Sequence, residues 1–480
     1  MKRDNVDSVF FPASIALLCG LYPFLFYLSN NYSAINSWQH ILYFIIIFLG
    51  LPFLFICLGY SVLVKFKRLK TYRFHFLFLF TVNLTVALMS QAMFLTIKKK
   101  ILLVFIIVSI VTVSFMSKQL MKLRIILIIL CVCTLPKLAI VVYDHLKPKY
   151  WTILPDEIED VQFKLKPNIY FIQTDGYVNE STLIGDTYKH SNDLYKWLRN
   201  NKFKTYDGFR SNYPASLASN AATFGMKHHY FGNTISPNLE VANARSIISG
   251  NNPVIKILKA NDYSCHFIVQ DEYFQQNMSQ DNYDSYNIKL AEIPFFSNDN
   301  NIKKNVFKDL EKQMKITSNK PQFYFVEKLL PHHIHFNSQE NQVEKEREWY
   351  AKRIDSVNFW IKKTVRHIKY NDPKSLIVLQ ADHGGWVGLK NYKEMYTTHN
   401  KDLINSIFSS MLAISWDEIN KEKYDNELKS SVNLFRVLFS ALSENNRWLK
   451  RLEDNSSYNI NLKWFNKSVK KVINNKGEIV

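Results

Sequence analysis

The sequence predicts an α/β protein in two parts, an N-terminal transmembrane helical region of about five helices followed by an α/β domain. Three observations carry this. Residues 1–145 are long apolar runs separated by short basic or polar gaps. The rest alternates strand-like and helix-like segments, the pattern of helices layered on a sheet. Two of those strand-like segments end in Asp followed by Gly or His, where open α/β sheets place their sites.

The apolar stretches cover 9–29, 41–64, 75–97, 101–116 and 124–143. A helix needs roughly 20 apolar residues to cross a bilayer, which four of the stretches satisfy. The stretch 101–116 is shorter but carries no charge, and it counts as a fifth span. The first stretch is followed by further spans and shows no small-residue cleavage site, so it reads as a retained helix rather than a signal peptide. Lys2-Arg3, the strongly basic 65–73 and Lys118, Lys122 and Arg124 flank these spans, whereas 29–39 is uncharged. Cytoplasmic loops collect Lys and Arg, so the N-terminus is expected inside and, after five spans, the following domain outside. Lys98-Lys99-Lys100 would then lie outside, against the rule.

The chain has 60 Lys and Arg against 41 Asp and Glu, a formal charge of +19. Much of the N-terminal excess flanks apolar spans, and the soluble part shows no nucleic-acid-binding module. A membrane surface with anionic lipids accounts for the charge, and no nucleic-acid partner is expected. Of five cysteines, Cys19, Cys57, Cys131 and Cys133 lie in apolar spans. Cys265 is left alone in the soluble part, which excludes an intramolecular disulfide and a zinc-type cysteine pair there.

In the soluble part, strands are predicted at 168–174, 266–269, 322–326, 375–380 and 411–416. Helices are predicted at 193–200, 253–259, 343–367 and 432–442, and from about Ser216. The polar run 275–301 reads as a long loop. Asp175-Gly176 ends the first strand and Asp382-His383-Gly384 ends another. Carboxylate with imidazole is a donor set suited to Zn²⁺ or Mn²⁺, although an Asp-Gly after a strand is most often a plain turn. Ser216 begins a helix, which makes it either an N-cap or a hydroxyl held beside the helix dipole and its amides. His332, His333 and His335 leave another strand together, as ligands or proton donors to a phosphoryl group or as a solvated loop. His399 ranks lower, and His228 and His229 read as scaffold.

In chain order these pieces resemble the sulfatase-like branch of the alkaline-phosphatase superfamily, over about Pro167 to Leu442. Pro167 to Tyr177 resembles its opening strand with the first metal-binding Asp. Ser211-Asn-Tyr-Pro-Ala-Ser216 with Ser219 is similar to its nucleophile helix, and Leu330-Pro-His-His to its substrate-side histidine segment. Leu379-Gln-Ala-Asp-His-Gly384 resembles its late Asp-His-Gly, and Ser431 to Arg436 a helix near the end of such domains. The resemblance implies a sulfatase-like catalytic domain at 167–445, with 146–166 a linker and 446–480 a C-terminal extension.

It further implies that Asp175, Ser216, Asp382 and His383 hold one divalent metal ion, Zn or Mn in preference to Mg. Ser216 would also be the nucleophile, with His332 or His333 on the substrate. The Cys/Ser-x-Pro-x-Arg motif of sulfatases is missing, and with it the formylglycine nucleophile. The likeness is therefore to membrane-anchored phosphoethanolamine and phosphoglycerol transferases of the lipoteichoic-acid-synthase type. These imply a phospholipid donor, a cell-surface glycan or lipid acceptor and a bacterial-type inner or plasma membrane. The alternative is a membrane-tethered sulfatase-like hydrolase, a phosphodiesterase or sulfuric ester hydrolase.

Overall fold

The computed structural model describes residues 10–32, 35, 37–146, 153–229, 244–276, 282–296, 301–336, 342–417, 419–463 and 466–480. The chain divides into two compact units, Met1–Lys147 with Pro294–Asn298, and Pro148–Ile293 with Asp299–Val480.

The first unit is helical. Among the described residues, four helical runs are long and apolar enough to cross a membrane: Phe10–Asn31, Trp38–Lys65, Lys70–Phe94 and Lys99–Tyr143. The stretches expected as a fourth and fifth span thus form one 45-residue run. It is divided only by a 3-10 turn at Ser117–Gln119, into helices Lys99–Met116 and Leu120–Leu146. No Gly or Pro lies between them, so nothing in the sequence breaks the helix outright. The first half packs against the Arg73–Phe94 helix, the second against Phe10–Asn31. Leu103, Val104, Ile107, Val108, Ile110 and Val111 stay exposed, an apolar surface that lipid rather than water would cover. A π-helical segment at Ile45–Gly50 precedes Pro52, whose missing N–H removes a rung from the helical ladder.

The second unit is built on a seven-stranded mixed sheet. Its strands are β1 (Ile169–Asp175), β2 (Lys204–Thr205), β3 (Ser264–Ile268), β4 (Ser285–Tyr286), β5 (Gln322–Pro331), β6 (Leu376–Ala381) and β7 (Leu412–Ser415). The spatial order is β2-β7-β6-β1-β5-β3-β4. β1 lies at the centre, parallel to both β5 and β6, while at one edge β7 runs antiparallel to β6 and β2 antiparallel to β7. A separate hairpin joins β8 (Ser457–Lys463) to β9 (Asn466–Ile473).

Strand alternation divides the core between the two faces of the sheet. Ile169, Phe171, Phe323, Phe325, Leu376 and Val378 join one cluster, with apolar residues of the helices Ser216–Gly225, Pro253–Ala260 and Leu434–Leu442. Tyr170, Ile172, Tyr324, Val326, Ile377 and Leu379 join the other, with Tyr350, Ile354, Val357 and Ile361 of the long helix Gln342–Asn371. Both faces of the central strands are covered, so β1 over Ile169–Ile172 and β6 over Leu376–Leu379 read as continuous apolar runs rather than alternating ones.

Three segments differ from the sequence reading. Ile158, Val161 and Phe163, within the expected linker, are buried in the first cluster. Trp448, Val472 and Ile473, within the expected extension, are also buried in the cores. The expected loop 275–301 supplies the edge strand β4, although 277–281 and 297–300 fall outside the described residues. These contacts join positions far apart in sequence, and local periodicity carries no signal of them. Arg436, 1% exposed, donates twice to the carboxylate of Asp156, at 2.7 and 3.1 Å. It thereby ties 156, in the expected linker, to the last helix of the core. Removing one partner of such a buried pair costs about 3–5 kcal/mol.

Candidate active site

Because β1 and β6 are parallel neighbours, with Thr174 paired to Ala381, their carboxyl ends deliver Asp175 and Asp382-His383 to the same point. The Asp382 amide donates to the Thr174 carbonyl at 3.3 Å and continues the ladder one step past the strand. Two glycines allow the close approach. A Cβ on Gly384 would stand 2.1 Å from the Ser406 carbonyl oxygen. At Gly176, φ is +70° and a Cβ would stand 3.0 Å from the His333 amide nitrogen.

Asp382 Oδ1 accepts from the amides of Gly176 (3.2 Å) and His383 (3.0 Å), and Oδ2 is left without a partner. The His332 amide donates to the Asp175 carbonyl at 2.9 Å, and its Nδ1 is hydrogen-bonded to Asp175 Oδ2. Asp175 Oδ1 is again unpartnered. His383 Nδ1 lies 2.7 Å from the Gly384 carbonyl, which can only accept, so Nδ1 carries the proton and Nε2 offers its lone pair. That nitrogen lies 3.5 Å from Asp382 Oδ2 and 3.6 Å from Asp175 Oδ1. Ligand atoms of Asp175, Asp382 and His383 all fall within 4.8 Å of one another, and all three residues are buried.

Ser216 opens the helix Ser216–Gly225 after the extended Ala215. Its hydroxyl lies 3.0 Å from His383 Nε2 and donates to that lone pair. Ser219, one turn on, donates to the Asp382 carbonyl at 2.6 Å and pins the helix start to the end of β6. The first-turn amides have no carbonyl partner within the helix, and a helix start favours negative charge beside it.

Burial pushes both carboxyls up. At Asp175 the His332 imidazole, by charge and hydrogen bond, reverses this and holds it below the usual carboxylate range. Asp382 stays raised, with Asp175 opposing the lowering effect of His383. Burial lowers His333 to about 3, which keeps its ring neutral. Two orphaned carboxylate oxygens and an imidazole lone pair, all buried, form an oxygen-and-nitrogen donor set that fits a divalent cation.

A cavity of about 420 Å³ opens on this point, lined by Asp175, Ser216, His332, His333 and His335. Gln270, Asp271, Tyr273, Lys303, Glu327 and Leu329 complete its walls. His399 is exposed and does not line it. His228 and His229 are buried, with side-chain bonds to the Asp454 carbonyl (2.6 Å) and the Ala218 carbonyl (2.8 Å).

Two participants lie outside the sequence reading. Trp386 stacks on His333 with ring centroids 3.8 Å apart and donates Nε1–H to the Pro214 carbonyl at 3.1 Å. It locks the histidine loop to the segment before Ser216. Its place two residues after Gly384, in a run that already carried Asp382 and His383, was the available signal. Glu327 sits in mid-strand, where periodicity reads it as an interruption of an apolar run.

No protein-family model matches the sequence, and no curated protein matches it. Among solved structures the chain is similar to full-length lipooligosaccharide phosphoethanolamine transferase A from Neisseria meningitidis, at 10% identity and TM-score 0.41, over 91% of this chain and 96% of that one. It is similar to the C-terminal periplasmic domain of EcEptC from Escherichia coli in complex with Zn, at 12% identity and TM-score 0.43, over 68% and 98%. A putative sulfatase, yidJ from Bacteroides fragilis, matches at 13% identity and TM-score 0.40, over 63% and 82%.

Proposed function

We propose that the chain is a membrane-anchored, metal-dependent transferase that moves a phospho-head-group from a phospholipid to a cell-surface glycan or lipid through a phospho-serine. The observation that carries this reading is the convergence of the unpartnered oxygens of Asp175 and Asp382 with His383 Nε2, which accepts from the Ser216 hydroxyl. Asp175, Asp382, His383 and Ser216 would hold one divalent cation. When bound, it supplies positive charge to phosphoryl oxygens and lowers the pKa of a nearby hydroxyl.

The chain's own groups account for the rest. Ser216 Oγ attacks the phosphorus of the donor phosphodiester and the bond to diacylglycerol oxygen breaks, that oxygen taking up a proton. The first-turn amides of the Ser216 helix point at the charge that develops on the phosphoryl oxygens. His332, clamped to Asp175 at both backbone and ring, and the neutral His333, braced by Trp386, orient the substrate on the cavity side. An acceptor hydroxyl then attacks the phospho-serine, the P–Oγ bond breaks and Ser216 regains its proton. With head-group-labelled phospholipid and the full-length protein, label is expected first on Ser216 and then on an acceptor. Label released only as free head-group phosphate, whatever hydroxyl acceptor is supplied, would establish the hydrolase alternative instead.

We also infer that the domain acts outside the cytoplasm. The 45-residue run Lys99–Tyr143 would be about 68 Å long if straight, more than twice the ~30 Å apolar core of a bilayer. Its length supports two crossings that turn near Ser117–Gln119, hence five in all. A reporter fused after Val480 should be active only when it is one that works outside the cytoplasm. Activity of a cytoplasm-only reporter there refutes this orientation.

A further inference from the structure

Glu327 is a buried acid that the chemistry above leaves without a task. It is 2% exposed, lines the same cavity as Ser216, and its Oε2 has no partner. In register it pairs with Gln173, which in turn pairs with Gln380. The three side chains form a buried polar row across β5, β1 and β6, on the face that carries Asp175 and Asp382 two residues further along. Gln173 Oε1 and Nε2 and Gln380 Oε1 are also unpartnered. Along the strands the row stands about 7 Å behind the metal-type cluster, a distance comparable with a small head group.

Such a row is costly in an apolar core, where each orphaned polar atom forfeits its hydration. At Glu327 the cavity gives direct access to an occupant that can supply the missing hydrogen bond. Asp271 also lines this cavity and adds a second carboxylate, together with Lys303 and the histidines. The cavity therefore has acceptors for a hydrogen-bond donor as well as a place for a phosphoryl group at Ser216.

Resting on the transferase reading, we propose that Glu327 is a specificity-determining residue that accepts a hydrogen bond from the polar end of the transferred head group. The ligand class is a phosphodiester whose small alcohol carries a terminal donor, either a hydroxyl or a primary ammonium. Burial and the Asp271, Asp382 and Asp175 carboxylates raise the Glu327 carboxyl, so its charge when the cavity is filled depends on which donor faces it.

The test uses the full-length protein and vesicles of phosphatidylethanolamine, phosphatidylglycerol or phosphatidylcholine, and measures diacylglycerol release. The choline head group has no N–H or O–H to donate and serves as the reference. The unmodified protein should prefer ethanolamine or glycerol lipid over choline lipid, and which of the two wins tells an ammonium from a hydroxyl. Glu327→Leu should lower kcat/KM for the preferred lipid about 10–100-fold, chiefly through KM, and leave the choline lipid little changed. Glu327→Gln, which keeps an acceptor and the shape, should restore part of the loss for a hydroxyl head group and less for an ammonium. Preference unchanged in Glu327→Leu, or an equal loss on all three lipids while Glu327→Gln behaves like Glu327→Leu, overturns the assignment. Absence of diacylglycerol from every vesicle overturns the transferase reading itself, and this assignment with it.

Discussion

Ser216→Ala should abolish turnover, by about 10⁴-fold or more in kcat, while leaving the protein folded. The physical reason is that the substitution removes the oxygen proposed to form the covalent intermediate, and of the contacts that hold the helix it removes just the bond to His383 Nε2. Ser219 still pins the helix start through the Asp382 carbonyl, and Asn220 still bonds the residue 216 carbonyl at 3.0 Å. Ala215 remains the N-cap, and no side-chain capping bond is lost with the hydroxyl. A melting temperature close to that of the unmodified protein should therefore accompany the loss. Head-group label should no longer be trapped on the chain. Near-normal turnover would remove Ser216 from the reaction and leave a direct attack by acceptor or water.

Asp382→Asn should cost about 100-fold or more in turnover and lower the bound divalent metal well below one per chain, measured by elemental analysis. The side-chain oxygen that accepts from the Gly176 and His383 amides can be kept by the amide, so the loop between β6 and Ser406 is held. What is lost is the anionic charge at the unpartnered Oδ2. An amide nitrogen placed there would direct N–H bonds towards the point where a cation is expected. The metal content is the deciding readout, because it separates loss of a ligand from loss of a proton-transfer group. Full metal occupancy together with normal turnover would place the cation elsewhere, or make the cluster a structural feature of the fold.

Both expectations rest on residues whose chemistry is visible in the sequence alone. The apolar runs 9–29 to 124–143 announce helices because nothing but a membrane or a large core tolerates so many consecutive apolar side chains. The central strands were legible because β1 and β6, buried on both faces, carry unbroken apolar runs over Ile169–Ile172 and Leu376–Leu379 and lead to an aspartate at the strand end. Asp175, Ser216, Asp382, His383 and the histidines 332, 333 and 335 stood out as polar chemistry at element ends. His332 and His333 could not be separated by spacing. In the folded chain His332 is bonded to Asp175 while His333 is stacked on Trp386, a difference made by side-chain direction rather than by order in the sequence.

What the sequence by itself determined is therefore the two-part organisation, the central strands and the residue types of the site, because each is encoded in local period, length and end signals. Only the tertiary structure decided that β1 and β6 are neighbours, and so that Asp175 and Asp382, 207 positions apart in the chain, present their free oxygens to one point. It alone brought Glu327 to the cavity and Trp386 against His333, and it drew 154–165 and 446–480 into the same folded unit. Strand order and packing partners are set by the joint burial of many distant surfaces. That sum has no period along the chain and becomes legible only when the sheet is assembled.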